Sequence, residues 1–227
     1  INRFPPFVGL DAAQDKVQFS YSIGRETPMA SNGWGKLQPV GNVVGPELSF
    51  ARNVSREIDA PIAIIKCAAG GTTLGGDWNP DDPSGFKLYP LALQLIQSSL
   101  AELDRKKVPY RIEGFMWHQG ENDQGSDGPT GGYGWETYQH LFVEMSADWK
   151  QDFPNVQHYY VFQIWPNSCS MGGRDGNGDR LREKQRTLPQ LFSNMSIMST
   201  LGVRPPGGCH FPLVGWAEFA RMIQPLI

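Results

Sequence analysis

The sequence predicts an α/β protein with a parallel central sheet and helices on both of its faces. Three observations carry this. Short apolar runs rich in β-branched residues alternate along the whole chain with stretches of helical period, the pattern of right-handed crossovers between parallel strands. The runs end in polar, Gly-rich turns. The 227 residues, 40% hydrophobic and 19% charged, suffice to bury one core without a metal or disulfide. No internal repeat, linker or composition shift divides them, so a single domain over residues 1–227 is expected.

The elements follow in order. Residues 17–22 alternate apolar and polar side chains and predict a short peripheral strand. A Gly/Pro-rich loop over 24–45 precedes a helix from Pro46 to about Ile58, with Leu48, Ala51, Val54 and Ile58 on one face and proline at a first-turn position that tolerates its missing N–H. Residues 62–67 read as a strand covered on both faces, and Ala68-Ala69-Gly70-Gly71-Thr72 as a sharp turn. Leu88, Leu91, Leu95, Ile96, Leu100 and Leu103 predict a helix over 87–106, followed by a strand over 110–117. A helix over 135–151 carries Tyr138, Leu141, Phe142, Met145 and Trp149 on its buried stripe. Then come a strand over 159–164, a helix over 180–192, a strand over 196–200 and a closing helix over 214–226.

Charge and composition exclude several partners. Twenty Lys+Arg against 23 Asp+Glu gives a net charge of -3 with no basic stripe, so nucleic acid is not an expected partner. No window approaches the ~18 consecutive apolar residues of a membrane span, and no membrane partner is expected. A small or neutral molecule fits better. The first residues lack the basic-then-apolar order of a signal peptide, and the chain starts at Ile1 rather than Met. A processed or truncated product is therefore expected, secreted or periplasmic, with its signal peptide upstream. Among Cys67, Cys169 and Cys209 one bridge is possible; Cys169 with Cys209 is preferred because both lie in Gly/Pro-rich loops. The spacing of cysteines and histidines matches no zinc site.

An open parallel sheet receives its ligand at the carboxyl ends of its strands. The segments there, 67–77, 117–134, 165–178 and 201–211, hold most of the unusual chemistry. Met116-Trp117-His118-Gln119-Gly120-Glu121-Asn122-Asp123 is the most specific string, with parts for fixing an oxyanion and orienting a base. Ala68-Ala69-Gly70-Gly71-Thr72-Thr73-Leu74 and Gly207-Gly208-Cys209-His210-Phe211 accompany it. His210, between a turn and the last helix, has the side chain suited to general-base work near neutrality. His118, His140 and His158 read as structural.

In this order and spacing, and with the helix start Gly45-Pro46-Glu47-Leu48-Ser49-Phe50, these pieces resemble the SGNH hydrolase superfamily, specifically its sialate O-acetylesterase-like and acetylxylan-esterase-like carbohydrate esterases. The resemblance spans nearly the whole chain. It implies a flavodoxin-like three-layer α/β/α sandwich and ester hydrolysis by a serine nucleophile with a histidine base. His210 would be the base, Gly71 with Gly70 beside it would offer backbone N–H to the oxyanion, and Gln119 would add a side-chain donor. The implied partner is an acetylated carbohydrate, and no metal or organic cofactor is needed.

The sequence departs from the family pattern twice. No Gly-x-Ser-Asn-type turn follows a central strand; Ser31, in Ala30-Ser31-Asn32-Gly33, is preceded by no apolar strand. The nucleophile and the first central strand are therefore expected upstream of Ile1. Where the family has an Asp three residues before its His, this chain has Gly207, which leaves Glu121 or Asp123 to act as the acid. Trp34, Trp78 and Trp165 lie in loops, and one or more of them, Trp78 and Trp165 foremost, are candidates to stack on a sugar ring. Asp175-Gly176-Asn177-Gly178-Asp179 imitates the start of a calcium loop, but Arg180 and Arg186 stand where glycine and the bidentate glutamate belong, and it reads as a hydrophilic turn. The rival reading is a non-catalytic carbohydrate-binding module derived from the same fold.

Overall fold

The computed structural model describes residues 3–81, 85–125, 134–166, 168 and 176–227. Strand β1 (Gln14–Ile23) pairs in parallel with β4 (Ile62–Ala68), Val17 opposite Ile62 through Ile23 opposite Ala68. On its outer edge β1 takes two short antiparallel strands, β2 (Met29–Ala30) and β3 (Gly35–Leu37), from the stretch expected to be loop. Helix α1 (Pro46–Glu57) lies between them and β4 in sequence, with Leu48, Phe50, Ala51 and Val54 buried. Leu48, Ala51 and Val54 of the expected face are thus packed, whereas Ile58 ends the helix in extended backbone and is 37% exposed.

A second sheet is wholly parallel. Strand β5 (Gly114–His118) pairs with β6 (His158–Phe162), and β6 with β7 (Met195–Met198). The connections are helical: α2 (Leu88–Arg105) before β5, α3 (Tyr138–Asp152) between β5 and β6, and α4 (Asn177–Thr187) between β6 and β7. Helix α5 (Leu213–Ile223) closes the chain against α1. The strand expected from residue 110 starts at Gly114, since Tyr110 and Arg111 are exposed and Arg111 pairs locally with Glu113.

The α/β class holds, and the sheet that the sequence presents as one is divided. β4 is bonded along one edge, to β1, and β5 along one edge, to β6. Among the described residues no ladder hydrogen bond joins β4 to β5, and this break between the two sheets is the seam. β6, paired on both sides, is buried from Tyr159 to Phe162, as a central parallel strand should be. β4 is equally apolar, yet it has no buried residue, and Met116 of β5 is 42% exposed. Leu91, Ile96 and Leu100 of α2 are likewise only partly buried, packed against the core that holds Trp117, Phe142 and Trp149. The seam's upper end is closed by the loops that follow its strands.

Candidate active site

The turn after β4 is shaped by backbone that needs glycine. Gly71 has φ +70°, and a Cβ there would meet the Arg25 guanidinium at 3.1 Å and the Asn122 amide at 3.7 Å. The following residues are fixed by Asp77, whose carboxylate accepts from Thr73 N–H at 2.8 Å and Phe86 N–H at 2.9 Å. Arg25, just past β1, lies over the Phe86 ring at 4.8 Å. This cation has no signal in the sequence, because the alternation of residues 17–22 reads as a peripheral strand and does not tell that β1 ends beside the turn after β4.

The turn after β5 needs glycine more strictly. Gly120 has φ +139°, and a Cβ would meet Ile164 and Leu181 at 3.1 Å and Gln185 at 3.2 Å. The Gln119 carbonyl, turned inward by it, accepts from the Tyr138 hydroxyl at 2.9 Å and Gln185 Nε2 at 3.0 Å. Both partners are fully buried. Such a buried network holds one geometry, because any displaced member leaves an unpaired polar group behind.

Asp123 laces the two turns together. It is 0% exposed, and its carboxylate accepts from Leu74 N–H at 3.0 Å and from Gln119 Nε2 at 2.6 Å. The second Nε2 hydrogen of Gln119 goes to Thr72 O at 2.9 Å. Burial pushes the Asp123 carboxyl up to about 7 against the pull of the Gln119 and Leu74 bonds, with the Glu121 and Asp77 charges adding to the rise. Both Nε2 hydrogens of Gln119, the expected oxyanion donor, are thus engaged within the protein. It would reach an oxyanion only by giving one of them up.

Glu121 faces a different partner. Its Oε1 lies 3.3 Å from His118 Nε2. Burial raises its carboxyl, but His118 beside it outweighs that, and the Glu121 backbone and His210 add to the pull, so the group lies below the ordinary carboxylate range. His210 is exposed and within electrostatic reach of Glu121. Its neighbour Phe211 is buried, with its ring 5.9 Å from that of His118. The structure thus brings Gly71, Gln119, Glu121, Asp123 and His210 to the carboxyl ends of β4 and β5. It places Asp123 on Gln119 and Leu74, and Glu121 nearer to His210.

Other expectations resolve individually. Trp78 is 6% exposed, donates its Nε1–H to Thr72 Oγ1 at 3.1 Å and meets Trp117 edge-on, leaving no face for a sugar; it is a core residue. Trp165 remains half-buried beside Phe211. Ser31 Oγ accepts from Tyr21 N–H at 2.9 Å and lies 3.3 Å from Ser20 Oγ, which accepts from Ser99. Those bonds tie it into the outer edge of β1. His140 pairs with Glu144 on α3, and His158 bonds Ser196 between β6 and β7, as structural residues do. Cys209 is disulfide-bonded and Cys67 is a free thiol; Cys169 lies outside the described residues. Asp175 also lies outside them, and Asn177 opens α4. Among the described residues no His/Cys/Asp/Glu group has the makings of a metal site.

Residues 24–211 match the family described as carbohydrate esterase, sialic acid-specific acetylesterase. The chain belongs to that family. The match runs from the end of β1 to Phe211 and so takes in every site residue named above. The carbohydrate esterase fold is matched in turn by an Arabidopsis thaliana protein of known X-ray structure, with a TM-score of 0.70 at 20% identity over 96% of this chain and 83% of the other. No curated protein matches the sequence. As a family member the protein is a carbohydrate acetylesterase, with an acetylated carbohydrate as its substrate class.

Proposed function

We propose that the protein removes O-acetyl groups from carbohydrates by a serine/histidine acyl-enzyme route, with the serine carried on a strand upstream of Ile1. The observation that carries this reading is the seam. Among the described residues β4 and β5 each have a ladder partner on one side only, and the turns at their carboxyl ends are laced together by Gln119 and Asp123. A strand seated between them would deliver its last residue among Gly71, Gln119 and His210. Ser31, held at the outer edge of β1, is poorly placed for that role.

In this mechanism His210 accepts the proton of the serine hydroxyl as its oxygen attacks the acetyl carbonyl. The N–H of Gly71, with Gly70 beside it, and that of the nucleophile hold the oxyanion, joined by Gln119 if one of its hydrogens is released. Glu121 stabilises the imidazolium. Collapse expels the sugar hydroxyl, protonated by His210; water then attacks the acyl-enzyme and acetate leaves. Trp165 supplies a sugar-facing ring. Secretion or periplasmic location agrees with the disulfide at Cys209, since such bonds persist in oxidising compartments.

The test uses the natural polypeptide, with any residues that precede Ile1, and p-nitrophenyl acetate. His210→Ala should lower kcat on the order of 10³-fold with folding intact, and Gln119→Ala on the order of 10²-fold. Residues 1–227 alone should show no His210-dependent turnover, and Ser31→Ala should leave the natural polypeptide active. Turnover by residues 1–227 that vanishes with Ser31→Ala would refute the upstream serine. Sugar binding without hydrolysis in every form would favour a binding module.

A further inference from the structure

His118 was expected to be a packed histidine, and its surroundings give it a second task. Its ring is enclosed by Phe162 of β6 at 6.1 Å, Phe219 and Trp216 of α5 at 5.0 and 6.4 Å, and Phe211 at 5.9 Å. Beside this box of rings His118 Nε2 stands 3.3 Å from Glu121 Oε1. An apolar enclosure is a poor home for a carboxylate unless a cation or a donor accompanies it. The box is also joined to the loop of the candidate base, because Phe211 follows His210 directly and packs on Trp216 and Phe219.

We propose that His118 is a positioning residue, which keeps Glu121 an ionised, fixed carboxylate beside His210. The inference rests on the esterase reading above and names how its acid is held. The titratable groups facing Glu121 are His118, His210 and, from the same turn, Asp123; β6 and α5 present rings to the pair. Without His118, burial acts on Glu121 unopposed by its nearest partner. The carboxyl then protonates at higher pH, and a neutral Glu121 no longer stabilises an imidazolium at position 210.

The experiment compares the natural polypeptide with His118→Phe, which keeps the box filled, His118→Gln, which keeps a neutral donor, Glu121→Gln, and the His118→Phe/Glu121→Gln double variant. Circular dichroism checks that each is folded. The Glu121 carboxyl is titrated by carbon-detected NMR, and kcat and KM for p-nitrophenyl acetate are measured against pH. In His118→Phe the Glu121 midpoint should rise by about one pH unit or more. There kcat should fall on the order of 10-fold with KM unchanged, and the acid limb of the profile should move up with the midpoint. His118→Gln should be intermediate, and the double variant should lose no more kcat than Glu121→Gln alone. An unmoved midpoint in both His118 variants, or losses that add in the double variant, overturns the proposal. If no form hydrolyses esters the esterase reading fails, and the midpoint still decides whether His118 holds Glu121.

Discussion

Asp123 holds its place against its own charge. With no exposed surface and a carboxyl pushed up to about 7 by burial, it binds a proton more readily in the folded than in the unfolded chain. Stability therefore falls as pH rises from about 4 to about 7 and is level above that. The ceiling on the effect is roughly 4 kcal/mol. Asp123→Asn cannot ionise, so its melting temperature should lose this contribution to the slope across that range. A slope equal to the parent's would show that Asp123 is not the group responsible. The motif marked this residue as functional without saying how. A carboxylate two positions beyond Glu121 reads the same in sequence whether it orients a base or ties two turns together, and only the bonds to Leu74 and Gln119 distinguish the two.

At the level of the element, the two glycine turns differ in what they protect. Gly71→Ala meets the end of the Arg25 side chain, which can shift, so the main cost is the left-handed backbone, on the order of 1–2 kcal/mol. Gly120→Ala adds contacts at 3.1 Å with packed Ile164 and Leu181, and overpacking of that kind costs roughly 1–3 kcal/mol more. Urea unfolding should therefore show Gly120→Ala as the less stable variant, whereas kinetics should show Gly71→Ala losing turnover while still folded. Equal losses of stability would contradict the assignment. Most elements were legible, because apolar spacing sets which face of α1 or α3 is buried wherever the chain lands. β2 and β3 were not. They are too short for a periodic signal and exist because β1 offers an edge to pair with. His118 was illegible for a related reason: its box is assembled from β6, α5 and Phe211, distant in sequence.

For the molecule as a whole the seam governs behaviour. A parallel strand bonds its two neighbours with alternate residues, so in residues 1–227 every second amide of β4 and β5 should exchange quickly with solvent, while β6 is protected throughout. In the natural polypeptide the fast amides should become slow. Persistence of the alternation there would mean that no strand occupies the seam. Each of the five helices α1 to α5 is expected from α/β alternation to cover a continuous sheet, a rule that fixes neighbours and handedness but not whether every strand is present. The arrangement also bears on the order in which the protein is made. β4 can pair with β1 as soon as it is synthesised, whereas β5 must wait for β6, so the half of the site that follows β4 has its sheet before the half that follows β5. The bonds from Gln119 to Thr72 and from Leu74 to Asp123 then join an older turn to a younger one.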